Sequence, residues 1–393
     1  MKEKVKGMDV IMEINIEQAV EANRGKILEV SQYIYENPEV GLQEFKCSKK
    51  IVEMLEDEGF EVEYNFSEMP TAFVGRKKKG NGPKIAFMAE YDALPKIGNA
   101  CGHHLIAAMS FGAAVALSKV LDKYDGEIIL IGSPAEEVGE GKPFLISKGV
   151  FEDIDVAMMI HPYNRTQYEL DVLAIGGIDF NFYGKAAHAA SQPESGVNAL
   201  DAVILLFNNI NAMRQQLRSD ARVHGIIIEA GSVANSIPDK SKVRLEIRAK
   251  DQKYFLELVE KVKKCAEAAA LATGCRLEWN HFEPNCDSLT TNQNLLNLFK
   301  NNVASYNIEE NPGKEMGSTD MGNVSQVVPS IHPWLKMIEG NAGLHTEEFL
   351  KESASEFAKD RTIIGAKLLA LTGLDILKNP EKLVDIKKEF SKK

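Results

Sequence analysis

The sequence predicts an α/β protein in which a mainly parallel-sheet domain, residues 1–175 and 288–393, is interrupted by a smaller α+β domain, residues 176–287. Three observations predict it. The 393 residues exceed what one hydrophobic core usually organises, which favours two domains. Strand-like and helix-like stretches alternate up to about residue 175 and again from about Ser288, the pattern of a layered, largely parallel sheet. Between those limits the order becomes β-α-β-β-α-β, the split βαβ arrangement of a small ferredoxin-like domain.

Taken in order, a helical pattern begins near Ile16 and ends before Asn37-Pro38, and a second runs through Ser48–Glu58. TAFVGR is a short strand, and the Lys77–Pro83 run of Lys and Gly is a turn. KIAFMAEYD reads as a buried strand that delivers Glu90 and Asp92 at its C-terminal end. HLIAAMSFGAAVALSKVL is a long helix of small residues, and EIILIGSP is a strand ending at Glu136 and Glu137. A helix around Pro143–Lys148 leads to the strand DVAMMIHP. Ligands of such sheets collect at the C-terminal strand ends, which is where the polar clusters fall.

In the inserted domain the strands are IDFNFYG, VHGIIIEA, KVRLEIRA and CRLEWNHF, with helices over Val197–Leu217 and Tyr254–Thr273. Val243, Leu245 and Ile247 alternate with Arg244, Glu246 and Arg248, the period of a half-buried strand. The chain closes with a helix over Phe349–Leu371. No internal repeat or low-complexity tract occurs.

Lys+Arg 46 against Asp+Glu 57 gives a net charge of -11, a field that repels nucleic acid. No stretch nears the roughly 18 apolar residues that span a bilayer, so no membrane partner is expected. The N-terminal stretch has a basic tip but lacks the apolar run of a signal peptide. Five cysteines, an odd number with no close pair, fit a reducing compartment, and the cytosol follows.

The sharpest chemical cluster is Cys101-Gly102-His103-His104, between a strand and a helix. A thiolate and an imidazole two residues apart on a turn can face one metal, with Gly102 bending the backbone between them. The same residues also suit a buried cysteine beside a helix-capping histidine. In Glu136-Glu137 the two acids point different ways, so one can ligate while the other moves a proton; a bare acidic pair is also commonly a solvated loop end. His161 ends DVAMMI and His345 lies in GLHTEEF, each a position where a structural histidine is common. Four such clusters at the ends of one sheet are more telling than any one alone.

Two chemistries are excluded. EGKP at Glu140–Pro143 follows a strand, but a phosphate loop needs Gly where Glu136 stands and Ser or Thr where Pro143 stands. No Gly-x-Ser-x-Gly elbow supports a serine hydrolase.

AEYDALPKIGNACGHH, SPAEE, the His161-Pro162 strand end, GKAAHAA, GSVANSIPD, GSTDMGN and GLHTEEF occur in one order along the chain. In that order and spacing they resemble the amidohydrolase branch of the aminoacylase/carboxypeptidase superfamily of two-metal peptidases. That branch includes auxin-conjugate hydrolases, the aminobenzoyl-glutamate hydrolase and dipeptidases acting on basic dipeptides. The likeness runs from PEVGLQEF to the C-terminal helix.

The resemblance implies metal-dependent hydrolysis of the amide bond of a small N-acyl amino acid or dipeptide by a metal-activated water. It implies that Cys101 bridges two divalent metals, that His103 and His161 complete one site, and that Glu137 and His345 complete the other. Glu136 would be the general base and Asp92 an acid steadying a ligand. His188, in an inserted domain that serves as lid and dimerisation domain, would polarise the scissile carbonyl across a homodimer. Without the family match, His188 reads as a cap of the helix that follows it. Asn235 and Arg248 match positions that hold the carboxylate of a small-molecule substrate. The mixed S, N and O donors suit zinc or manganese and admit cobalt or nickel. Where the family commonly has Asp or Asn, this chain has His104. The competing reading is a catalytically silent metal-containing scaffold, against which the retention of Glu136 argues.

Overall fold

The computed structural model describes residues 16–66, 68–313 and 316–392; the N-terminal stretch on which the signal-peptide expectation rests lies outside the described residues. The chain divides into two compact units. One comprises the described residues up to Leu170 with most of the chain after Thr290; the other comprises Asp171–Leu289 and Met316–Gly322.

In the first unit, α1 (Arg24–Glu36) and α2 (Phe45–Asp57) precede β1 (Glu61–Phe66), β2 (Met69–Lys79), β3 (Lys84–Ala89), α3 (His103–Ser118), β4 (Gly126–Gly132), α4 (Gly141–Ser147), β5 (Val156–Met158) and β6 (His161–Tyr163). Strand β1 escapes a reading by hydrophobic pattern because none of its residues is fully buried; it pairs with β2 at the sheet edge. The Lys77–Pro83 turn also begins later than expected. Strand β2 runs on through Lys79 because its basic end pairs with Gly126–Ile129 of β4.

The sheet order is β1-β2-β4-β3-β5, with a sixth strand supplied by the returning chain. Strands β3, β4 and β5 are parallel, so their C-terminal ends share one edge. Every residue of α3 is buried. Its small side chains permit this: a Cβ at Gly112 would lie 2.6 Å from Ile27 of α1 and 3.1 Å from Ala366. DVAMMIHP forms two short strands rather than one. The stretch paired with it carries Pro333, which has no N–H to continue a ladder, and β6 takes up a separate pairing.

The second unit contains β7 (Ala174–Tyr183), α5 (Ala199–Met213), β8 (Arg222–Glu229), β9 (Lys240–Ala249), α6 (Gln252–Thr273) and β10 (Arg276–His281). Its antiparallel sheet has the order β10-β7-β9-β8. Val243, Leu245 and Ile247 of β9 are buried with α5 and α6 residues in one core, as their alternation requires. Strand β8 lies at the edge and exposes Ile226, Ile227 and Ile228.

Back in the first unit, the chain forms α7 (Gln293–Val303), β11 (Ser330–Ile331), β12 (Trp334–Lys336), α8 (Glu347–Glu352), α9 (Glu356–Lys378) and α10 (Pro380–Phe390). Strand β11 is the sixth strand, parallel to β5, and β12 pairs with β6. The single helix expected over Phe349–Leu371 is broken. Ser355 leaves the helical region and its hydroxyl accepts the Ala358 N–H at 3.2 Å, starting a new helix with its own cap. Among the described residues, no helix is long and apolar enough to cross a membrane.

Candidate metal centre

Cys101 and His103 flank Gly102, which caps α3 with φ +84. A Cβ there would lie 2.6 Å from Pro162, so both the backbone conformation and the space demand glycine. His103 is fully buried and its Nδ1–H donates to Asp92 Oδ1 at 2.9 Å. That bond turns Nε2 toward three acids, 3.6 Å from Glu90 Oε2 and 3.8 Å from both Glu136 Oε2 and Glu137 Oε1. His161, at the start of β6, donates Nδ1–H to the Pro162 carbonyl at 2.8 Å and turns Nε2 toward Cys101 Sγ at 3.6 Å. His345 takes a left-handed backbone conformation, its N–H bonded to Ala100 O at 3.0 Å, and brings Nε2 to 3.6 Å from Glu137 Oε1.

The donor atoms of Cys101, His103 and His161 lie within 4.8 Å of one another, and so do those of Cys101, Glu137 and His345. Cys101 belongs to both groups. A third group joins Glu90, His103 and Glu136. Glu90 Oε2, His103 Nε2 and Glu137 Oε1 are buried without a hydrogen-bond partner. Orphaned polar atoms of this kind are costly. Burial alone would lower His103, but Cys101 and Asp92 outweigh it and hold the imidazole well above its usual range. The site thus draws positive charge, as a proton on the ring or as a cation that replaces it. The residues therefore fit divalent metals.

The electrostatics agree. Burial lowers the His161 imidazole to about 4 and keeps it neutral, as a ligand must be. Burial also pushes the Cys101 thiol up, so ionising it takes a strong local positive charge. Burial tends to raise Asp92, but the neighbouring His103 outweighs it and holds the carboxyl below its usual range.

Glu136 and Glu137 sit on a tight turn after β4. Ala135 enters it at φ 58, a left-handed conformation that costs an L-residue about 1–2 kcal/mol, and Gly139 leaves it at φ 70. Glu137 N–H donates to Asp92 Oδ2 at 3.0 Å, and Ala135 N–H donates to Glu44 Oε1 at 2.8 Å. Asp92 thus holds both a candidate ligand, through His103, and the acidic turn.

The remaining three sequence candidates belong to the second unit. His188 is exposed, and its Nδ1 accepts the Ala190 and Ser191 N–H groups at 3.3 and 3.2 Å, closing a turn; the helix that follows is capped by Asn198, not by His188 as its plainer reading had it. Ala189 N–H bonds Asn235 O at 3.0 Å, tying the His188 and Asn235 loops together beside a cavity of about 430 Å³. Arg248, on β9, is half-buried; Nη2 donates to Glu246 Oε2 at 2.9 Å while Nε has no partner.

Two further polar residues, Lys142 and His332, gave little sign in the sequence. Glu90 Oε1 meets Lys142 Nζ at 2.5 Å with both side chains fully buried. Lys142 stands in the rejected EGKP stretch, and a lysine at the first turn of a short helix carries no mark of burial. His332 is buried with both ring nitrogens unpartnered, its ring 5.6 Å from that of His161. His104 lies in none of the donor groups; burial lowers it to about 3, its ring stands 5.2 Å from that of Tyr35, and Nε2–H reaches the Ser353 carbonyl at 3.4 Å.

Comparison with known proteins supplies the family context. Residues 174–274 match a peptidase dimerisation domain. The Xaa-Arg dipeptidase of Mus musculus is 37% identical over 383 residues, 92% of this chain and 88% of that protein. The Xaa-Arg dipeptidase of Homo sapiens is 36% identical over 387 residues, 93% of this chain and 88% of its own length. One of the subunits of the p-aminobenzoyl-glutamate hydrolase of Escherichia coli (strain K12) is 32% identical over 322 residues, 77% of this chain and 66% of its own length. A dinuclear metal binding peptidase from the M20 family, of Bacillus subtilis, shares the fold with a TM-score of 0.71 at 20% identity, covering 91% of this chain and 99% of its own.

Proposed function

Because the chain belongs to the M20 family of peptidases, within its amidohydrolase branch, we propose that it hydrolyses the amide bond of a small dipeptide or N-acyl amino acid bearing a free carboxylate. The observation that carries this reading is the Cys101 thiol shared by two donor groups with Glu136 beside them. The likeness to an Xaa-Arg dipeptidase across 92% of the chain favours a dipeptide.

Cys101, His103 and His161 would hold one divalent cation, and Cys101, Glu137 and His345 a second; zinc or manganese suits the donors, and cobalt or nickel is compatible. Bound there, two such cations supply Lewis acidity that brings the pKa of water from 15.7 toward roughly 7. Glu136 accepts the proton of the attacking water and returns it to the departing amine. Asp92 keeps the His103 ring in one tautomer and orientation. His188 donates a hydrogen bond to the carbonyl oxygen as its charge grows. The Arg248 guanidinium and the Asn235 amide hold the substrate carboxylate.

A homodimer is part of the reading. It is supported by the dimerisation-domain match and by the edge strand β8, whose exposed isoleucines offer a second copy both apolar surface and a free ladder. His188 of one subunit then serves the active site of the other. We place the enzyme in the cytosol, in keeping with its five free cysteines.

The test is amine release from a panel of dipeptides and N-acyl amino acids, with each of the four metals added in turn. Release from free-carboxylate substrates, and poor release from their methyl esters or amides, is expected. If no free-carboxylate amide is cleaved with any metal, the scaffold reading replaces this one.

A further inference from the structure

We propose that Glu44 is a positioning residue for the general base: with Asp92 it clamps the turn that carries Glu136 and so fixes where that carboxylate stands. The inference rests on the reading of Glu136 as base and goes beyond it, to a residue 91 positions before Ala135 in the chain.

Glu44 is fully buried, just ahead of α2, and both of its carboxyl oxygens are used. Oε1 accepts the Ala135 N–H at 2.8 Å, and Oε2 accepts the Thr71 hydroxyl at 3.0 Å. Glu137 N–H is held by Asp92 Oδ2 at 3.0 Å. The N–H groups of the residues on either side of Glu136 are thus each bound by a carboxyl group, one from the start of α2 and one from the segment after β3. The two are linked. Thr71 accepts the Tyr91 hydroxyl on its carbonyl at 2.6 Å, and Tyr91 is the residue before Asp92.

The turn needs a clamp. Ala135 occupies a left-handed conformation that it would leave if unrestrained, and such a change would swing Glu136 as a unit. An apolar side chain would fill the Glu44 site without the cost of burying a carboxyl, a cost visible in its pKa, which burial raises to about 7. Its acceptor function toward Ala135 accounts for an acid at this position. Glu44 lies in none of the groups of candidate metal donors, so its action on turnover passes through the turn.

The experiment is a double-mutant cycle. Glu44→Ala, Glu44→Gln and Thr71→Val are each made alone and in a Glu136→Gln background, with kcat, KM, bound metal by elemental analysis, and Tm measured for all. Glu44→Ala is expected to lower kcat by about 10–100-fold, with KM within about threefold and metal content unchanged, since a displaced reacting group can cost that much. Glu44→Gln keeps an oxygen for the Ala135 N–H and recovers most of the loss. In the Glu136→Gln background, Glu44→Ala costs less than about twofold, because the group it positions is already disabled. An equal loss in both backgrounds, or a fall in bound metal, overturns the proposal. Should Glu44→Ala fail to fold, Thr71→Val decides: it loosens the Glu44 carboxyl, and its smaller kcat loss must also vanish with Glu136→Gln. Near-normal turnover of Glu136→Gln alone would instead overturn the assignment of the base.

Discussion

The two units hold their candidate functional residues in opposite ways. In the first, Cys101, His103 and His161 are buried, and second partners on Asp92, Pro162 and the α3 terminus fix their orientation. In the second, His188 and Asn235 stand exposed on loops, and Arg248 gives one N–H to Glu246 while its Nε stays unpartnered. Burial pre-forms a site at the cost of orphaned polar atoms, which a bound cation would satisfy. Exposure leaves groups solvated until a ligand or a partner engages them. On the roles proposed above, the difference makes metal binding and substrate binding separable, and substitutions in the two units should separate them.

The largest effect is expected from Cys101→Ser, which removes one thiolate from both donor groups at once. Metal content and activity should fall together, further than with His161→Ala, which touches one group. Full occupancy by elemental analysis in the Cys101 variant would break the bridging assignment. Glu136→Gln comes next. The amide keeps the shape but accepts no proton, so metal and substrate should still bind while turnover drops by about 10²–10⁴-fold.

Mixing subunits tests the second unit. Inactive His188→Ala and inactive Glu136→Gln chains, allowed to exchange, should regain roughly a quarter of wild-type activity through heterodimers with one intact site. No recovery after exchange is verified would place His188 in its own chain's site or in none. Arg248→Lys should weaken kcat/KM for a free-acid substrate by about 1–3 kcal/mol, since the lysine keeps the charge but not the guanidinium fork. The methyl ester should hardly respond. Equal losses on both substrates would mean that Arg248 serves Glu246 and the fold.

How far the sequence was legible follows the same division. Alternation along KVRLEIRA and the small-residue run of α3 carry strong periodic signals because each faces a core on a defined side. The broken final helix and the split His161 strand turn on single residues, Ser355 and Pro333, whose effect depends on what they meet in three dimensions. Cys101, His103, Glu136, Glu137, His161 and His345 are visible because they cluster at strand and loop ends. Glu44, Lys142 and His332 are not. Each is an ordinary polar residue in an ordinary segment, made unusual only by a burial that comes from distant parts of the chain.

Glu44 also sharpens the contrast at the level of stability. Burial raises its carboxyl to about 7 in the folded chain, against an ordinary value of 4.5. Between those values the folded state keeps a proton that the unfolded state has lost, so this stabilisation is complete below about 4.5 and disappears as pH rises through about 7. The buried His104 and His161 act in the opposite sense. Their lowered pKa values, about 3 and about 4, make the folded state lose stability as pH falls through the unfolded histidine range near 6.5. A raw stability profile mixes the two, and the difference between wild type and Glu44→Gln isolates the acid. Urea denaturation of the chelator-treated proteins should show wild type losing on the order of 1–2 kcal/mol relative to Glu44→Gln between about pH 5 and pH 8. A flat difference would mean that Glu44 carries no raised pKa, and that its carboxyl is ionised beneath the acidic turn throughout this range.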